Sequence, residues 1–463
     1  MADTYDMIVL GGGTGGYSCA LRAADLGMSV ALVEKDKVGG TCLHWGCIPT
    51  KALLQAAEVA EHAQTAGDYG VKATYDGVDM EAVLSFKQRI VDTNWKGLQG
   101  SLKKRGVDTI HGTGHLKDAR TLVVQTDEGE RTITAEKALV LATGSKPRGL
   151  PIEGAEIDGE KVITSDHALF LDRVPQRPIV VGASAVGMEF ASVWRAYGAE
   201  EVTVVEALPN VVPMEDVDTQ KALAKDVKKH GMKLHVGAKM TGVEKGADGI
   251  RVTLEGDTQI EGDVLMLATG RGPVTADMGF EDAGANLDRG FVTVDEYCRV
   301  GPDGLYAIGD IIPTLGLAHA SFAEGFLVAE QVAGHQVVPI DYAGIPKVYY
   351  CHPEIGAVGY TEQQVQDMGV EYDKQMFPFS HNGRAMMMKG SGHVKVLAKK
   401  DNGRVLGIHI VGPRATDLIA EGQLIYNWEA LPTDVAQFIH AHPTLTEAVG
   451  EAHLALAGRP LHG

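Results

Sequence analysis

The chain has no apolar run near the roughly eighteen residues that a membrane helix needs. The stretch IVVGASAVGMEF is broken by glycines and stops at Glu189. It also has no cluster of Lys and Arg to offset a net charge of −19, so nucleic acid and anionic membranes would be repelled, and solubility or docking onto a basic partner fits better. No segment is disordered by composition: 44% apolar and 22% charged residues over 463 positions describe an ordinary globular protein with room for two to four domains. The opening residues MADTYDMIVLGGG show no charged n-region, apolar h-region or cleavage site, which makes a cytoplasmic location the expectation. His440 and His442 stand close in sequence, but no second cysteine or histidine cluster offers the spacing of a closed zinc site, so no metal is expected.

Glycine, by contrast, is plentiful, at 57 residues. The segment YDMIVLGGGTGGYSCALRAADLGMSVALVEK reads as strand, turn, helix and strand, with Gly11, Gly13 and Gly16 in GxGxxG spacing and Glu34 ending the second strand. Glycines there admit a pyrophosphate, and the terminal acid can accept from a ribose hydroxyl. RPIVVGASAVGMEFASVWRAYGAEEVTVVE repeats the pattern, with Gly182 and Gly187 at the outer glycine positions and Glu206 closing the strand. Two similar strands follow after β-rich sequence, LVLATGS at 139–145 and LMLATGR at 265–271. This echo argues for two related nucleotide folds. Residues 51–66 and 79–105 have helical apolar spacing and are expected to fill out the first fold. LYAIGDII places Asp310 at the end of an apolar strand, where it can bind a polyol, and a helix follows. From about Pro346 the pattern changes to alternating strands and then helices, a separate terminal domain.

Cys42 and Cys47 stand with four residues between them in GGTCLHWGCIPTK. A structural staple over so short a loop would remove only about 2 kcal/mol of unfolded-state entropy, and disulfides in cytosolic chains are usually catalytic or redox-sensing. Cys47 precedes IPTKALLQAAEVA, a helix whose first turn can include Pro49, so the helix terminus and Lys51 would favour a thiolate there. Cys19, Cys298 and Cys351 are better read as buried or unpaired thiols, and AMMMK as packing.

Taken in order, GGGTGG, GGTCLHWGCIPTK, the two ATG strands, YAIGD and HAHPTLTEAVGEAH resemble the flavoprotein disulfide reductases over nearly the whole chain, and most closely the branch that oxidises dihydrolipoamide. The resemblance implies an α/β protein with two Rossmann-like dinucleotide-binding domains plus an α+β C-terminal dimerisation domain. Its boundaries would be 1–147 and 275–343 for FAD binding, 148–274 for NAD binding, and 344–463 for the interface of a homodimer. It implies Cys47 facing the flavin, Cys42 as the interchange thiol, and His442 as base oriented by Glu447, with each site completed by the partner subunit. Lys51 would lie beside the flavin ring and pair with Glu189. Asp310 would hold the ribityl chain, and Thr143, Gly144, Gly270 and Ala318 would join the cofactor contacts. The expected electron donor is dihydrolipoamide on the lipoyl domain of an acyltransferase or of a glycine cleavage carrier protein.

The chain departs from that pattern at three positions. Ser184 takes the usual middle glycine of the second fingerprint, where it either crowds the pyrophosphate or donates to it, and His44 and Trp45 lie between the redox cysteines, to reshape the site or merely to pack. Glu206 suits a free ribose hydroxyl, and Ala207 and Leu208 offer no arginine for a 2′-phosphate, so NAD is expected rather than NADP. The arginines of glutathione-type enzymes and the terminal cysteine pair of mercuric reductases are both absent, and the complete redox set speaks against a non-catalytic scaffold.

Overall fold

A computed structural model describes residues 3–301, 304–400 and 403–462. The chain packs as two compact units. The first comprises Met1–Ala52, Glu81–Arg148 and Gly270–Tyr342, and the second comprises Leu53–Met80, Gly149–Thr269 and Ala343–Gly463. The helix Met80–Lys104 thus belongs almost wholly to the first unit, whereas residues 53–80 pack within the second.

In the first unit, parallel pairing joins Asp108–His111, Val30–Glu34, Asp3–Leu10 and Gly129–Leu141 in that order, with Leu305–Ala307 beside the last. Met7 to Leu10, Val30 to Val33 and Leu139 to Leu141 are all buried. A parallel sheet covered on both faces wants unbroken apolar runs rather than alternation, which is why these strands read as MIVL, VALV and LVL. The N-terminal half of Gly129–Leu141 pairs instead with an antiparallel hairpin, Thr113–Leu116 and Thr121–Thr126. Helix Thr14–Asp25 packs on helix Ala318–Val332 through Gly325, where a Cβ would stand 2.4 Å from Ser18 Oγ.

The second unit repeats the parallel device with Lys233–Val236, Thr203–Glu206, Pro178–Val181, Val264–Leu267 and Val162–Ile163 in that order. Its terminal part is an antiparallel sheet of Lys347–Tyr349, Glu354–Gly359, Val405–Gly412, His393–Lys399 and Tyr372–Pro378. Helices Ala415–Asn427 and Glu447–Leu456 accompany that sheet. The two fingerprints therefore open two separate parallel sheets, and the change in pattern near Pro346 marks the α+β part. Among the described residues no helix is long and apolar enough to cross a membrane.

One ionic cluster ties the terminal sheet to the helix Val217–Lys229. Lys395, 1% exposed, donates to Asp216 Oδ1 at 2.8 Å, Asp218 Oδ2 at 2.7 Å and Glu362 Oε2 at 2.6 Å. Burial opposes ionisation of both Asp216 and Glu362. For Asp216 it is outweighed by His409, Lys395 and the Glu362 N–H, and for Glu362 by Lys374, Lys395 and Tyr372, so each carboxyl is held down at about 2. An unfolded carboxyl titrates near 4, so this stabilisation is complete above that pH and is lost as pH falls through about 2. Removing the cation alone leaves buried anions uncompensated. We expect Lys395→Met to destabilise the protein by about 3 kcal/mol at pH 7, measured by urea unfolding, with a deficit that narrows as pH approaches 3. A deficit independent of pH would contradict the assignment.

Candidate active site

Each fingerprint builds the same cradle. Gly11 has φ +106°, and a Cβ there would stand 2.2 Å from Ala142 O, while one on Gly16 would stand 1.8 Å from Gly11 O. Gly13 would meet nothing within 4 Å, which leaves open space in front of the helix Thr14–Asp25, whose first turn carries no acid and no side-chain cap. Backbone N–H groups there face outward, a setting suited to a pyrophosphate. Glu34 is aimed by two backbone donors, Gly12 N to Oε2 at 2.7 Å and Asp36 N to Oε1 at 2.8 Å. A groove lined by Leu10, Gly11, Val33, Glu34, Gly114 and Thr143 runs beside it, fitting the adenosine end of a dinucleotide.

In the second unit, Gly182 has φ +106° with Ala268 O 2.3 Å from its missing Cβ, and Gly187 would meet Gly182 O at 1.9 Å. Glu206 repeats the aiming of Glu34: Ala183 N donates to Oε2 at 2.8 Å and Leu208 N to Oε1 at 2.8 Å. Ser184 is exposed at the head of helix Ala185–Tyr197 with φ −92° and ψ −163°, close to the −70° and −172° of Gly13. That backbone is open to any residue, so serine strains nothing here, and its hydroxyl makes no cap. A dinucleotide fits this loop as well.

The redox cysteines sit on a tight detour. Gly39 at φ +113° and Gly40 at φ +55° lead into a single wide helical turn, Thr41–Trp45, which carries Cys42, and after Gly46 the helix Cys47–Thr65 begins on Cys47. The detour is docked on the first fingerprint. Gly39 N donates to Gly12 O at 2.7 Å, and a Cβ on Gly40 would stand 2.6 Å from Gly13 Cα. His44 anchors the turn: it is buried, its Nε2 lies 3.0 Å from Val38 O, and its ring meets Trp95 edge-on at 5.8 Å. Trp45 is 38% exposed.

Both thiols are half-buried and are not joined in a disulfide. A hydrogen bond with Cys47 is the chief reason the Cys42 thiol is pushed up; burial, a charge on Cys47 and Asp310 add to it, and Lys51 opposes. That hydrogen bond favours the protonated form of Cys42. Asp310 closes the other side. Its Oδ2 accepts from Ser145 Oγ at 2.5 Å, and Arg271 donates through Nε to Ser145 Oγ at 2.8 Å and through Nη2 to Thr41 Oγ1 at 3.3 Å. The turn Gly309–Ile311 is held from behind by fully buried Glu324, which accepts from Gly309 N at 2.6 Å, and helix Ala318–Val332 starts just beyond with no acid in its first turn. Thr143 Oγ1 donates to Val274 O at 2.5 Å, Gly144 has φ +72°, and Gly270 has φ +98° with its carbonyl accepting from Arg148 N. Arg271, Ser145 and Glu324 carry no motif of their own. Only the proximity of Ser145 and Arg271 to the two ATG strands could have singled them out.

The remaining candidates lie in the second unit. Glu189, 3% exposed on helix Ala185–Tyr197, accepts from Tyr350 N at 3.1 Å. His442 is exposed, with Nδ1 2.9 Å from Glu447 Oε1, and Glu447 Oε2 accepts from Thr444 N at 2.8 Å. Burial works against the Glu447 carboxylate, but the Thr444 N–H and the His442 ring hold it below its usual range. His440 is separately paired, Nε2 to Glu421 Oε1 at 2.7 Å. Replacing Cys47 by alanine removes the first cause of the upward push on Cys42. Alkylation of Cys42 in Cys47→Ala is expected to titrate at lower pH than in the reduced parent, and an unshifted profile would contradict the role given to Cys47.

Residues 5–325 match the profile of the pyridine nucleotide-disulphide oxidoreductases, and residues 345–453 match the dimerisation domain of the same group. The chain is 38% identical to the mitochondrial dihydrolipoyl dehydrogenase of Pisum sativum, over 100% of this chain and 93% of that protein. It is likewise 38% identical to the dihydrolipoyl dehydrogenase of Bacillus subtilis, over 100% of both. The crystal structure of LpdA from Mycobacterium tuberculosis superposes with a TM-score of 0.91 at 28% identity, covering 98% of this chain and 100% of that one. With both dinucleotide cradles present and the cysteine pair docked on the first, the chain belongs to the pyridine nucleotide-disulphide oxidoreductase family and takes FAD and NAD as its cofactors.

Proposed function

We propose that the protein is a dihydrolipoyl dehydrogenase, which oxidises dihydrolipoamide to lipoamide and reduces NAD⁺. The observation that carries this is the docking of the Cys42 turn onto the fingerprint of the FAD domain, through Gly39 and Gly12 at 2.7 Å, in a chain 38% identical over its full length to dihydrolipoyl dehydrogenases. In the oxidised state the two cysteines form a disulfide. One thiolate of the substrate attacks Cys42 Sγ, and Cys47 leaves as the thiolate. The second substrate sulfur then displaces Cys42, forming lipoamide and leaving the Cys42 and Cys47 dithiol. When bound, FAD carries the electron pair from this dithiol to the nicotinamide.

His442 takes the proton of the attacking thiol. Its Nδ1 is engaged by Glu447 at 2.9 Å, which leaves Nε2 for the substrate. Lys51 stands close enough to oppose the rise of Cys42, and its charge favours an anionic sulfur. Glu206 selects NAD by accepting from a free ribose hydroxyl and repelling a 2′-phosphate. The protein acts as a homodimer in the cytoplasm, His442 of one chain serving Cys42 of the other, and its substrate is the lipoyl domain of an acyltransferase or a glycine cleavage carrier.

With free dihydrolipoamide and NAD⁺, we expect Cys42→Ser to be inactive and His442→Ala to lose roughly 10²- to 10⁴-fold in rate. Both should keep NADH oxidation by an artificial acceptor. Full dihydrolipoamide activity in either variant would defeat the mechanism.

A further inference from the structure

Away from the redox cysteines, the second unit gathers two imidazoles and two carboxylates from three distant stretches of chain. Glu61 lies in the last turns of the helix Cys47–Thr65, and Asp226 and His230 lie at the end of the helix Val217–Lys229 and just past it. His352 follows the strand Lys347–Tyr349. One ligand atom from each of Glu61, His230 and His352 falls within 4.8 Å of the others, and the two rings meet edge-to-face at 4.9 Å.

The individual separations do not describe a closed hydrogen-bond network. His352 Nδ1 is 3.8 Å from Glu61 Oε2, and its Nε2 is 4.0 Å from Asp226 Oδ2. Both are too long for hydrogen bonds. Asp226 is 6% exposed; its Oδ1 accepts from Ser391 Oγ at 2.8 Å, but its buried Oδ2 has no hydrogen bond of good geometry. That oxygen faces the His230 ring instead.

The ring of His230 is held on one side by Asp226. Its Nδ1 lies 2.9 Å from the Asp226 carbonyl oxygen and 3.1 Å from Asp226 Oδ2. Held there as the N–H, it leaves Nε2 with a free lone pair, the arrangement by which an outer carboxylate orients a metal-binding histidine. Ligands about 2.0 to 2.1 Å from a tetrahedral ion stand roughly 3.3 Å apart, so modest contraction of the Glu61, His230 and His352 triangle would close it. His352 is 52% exposed and provides the entry path.

We propose that Glu61, His230 and His352, with Asp226 behind them, bind one divalent transition-metal ion of the zinc class. Imidazole nitrogens favour such an ion over magnesium or calcium. Bound there, it clamps the end of the Cys47–Thr65 helix to the end of the Val217–Lys229 helix and to the segment around His352. The site is independent of the reaction assigned above.

The test is calorimetric titration of the air-oxidised holoenzyme with Zn²⁺, in which the redox pair is a disulfide and cannot compete as a ligand. We expect one ion per chain, a thermal midpoint raised by Zn²⁺, and affinity reduced about 10-fold or more in both His352→Ala and Glu61→Gln. Cobalt(II) should give a four-coordinate visible spectrum in the parent and not in His352→Ala. Failure of the parent to bind, or binding of equal strength in both variants, would overturn the proposal.

Discussion

The active centre depends on a contact between two stretches of backbone. Gly39 donates to the Gly12 carbonyl, and Gly40 approaches Gly13 so closely that Gly40 has no room for a side chain, and this contact sets the distance from the cysteine turn to the nucleotide cradle. Positive φ at both glycines gives the chain the bend it needs before Cys42. Flexible side-chain contacts could not hold a sulfur so firmly, because an exchange reaction needs its atoms in line at van der Waals range. The hydrogen bonds of His44 to Val38 and of Arg271 to Thr41 then brace the turn from two sides.

The two nucleotide folds use one device twice. In each, a glycine loop passes beneath a neighbouring strand end, and the acid that closes the second strand takes one amide from the loop and one from two residues onward. The acid is thereby fixed before any ligand arrives, so it discriminates by charge and position at little entropic cost. Glu206 is more deeply buried than Glu34, which sharpens its repulsion of a phosphate.

Much of this was legible in the sequence because it rests on local spacing. The fingerprints, the cysteine pair, Asp310 at a strand end and the His442 to Glu447 interval are all set within a few residues of one another. The serine at position 184 shows the limit of reading by letters: the fold asks only for extended backbone there, which serine supplies. What stayed hidden is held by long-range contact. Ser145, Arg271 and Asp310 meet across more than a hundred residues, and Lys395 finds its three carboxylates from two distant segments. The same reason conceals Glu61, His230 and His352, which share no motif. His44, unusual at its position, carried a signal, and packing against Trp95 explains it.

In the proposed reaction, Cys42 and Cys47 form an electron relay between an outside dithiol and the flavin. An anaerobic titration of the oxidised holoenzyme with dihydrolipoamide, counting free thiols and flavin absorbance together, tests it most directly. The first equivalent should yield two new protein thiols per chain while oxidised-flavin absorbance largely persists, and Cys42→Ser should yield none. Bleaching of the flavin in step with the first equivalent, without new thiols, would contradict it.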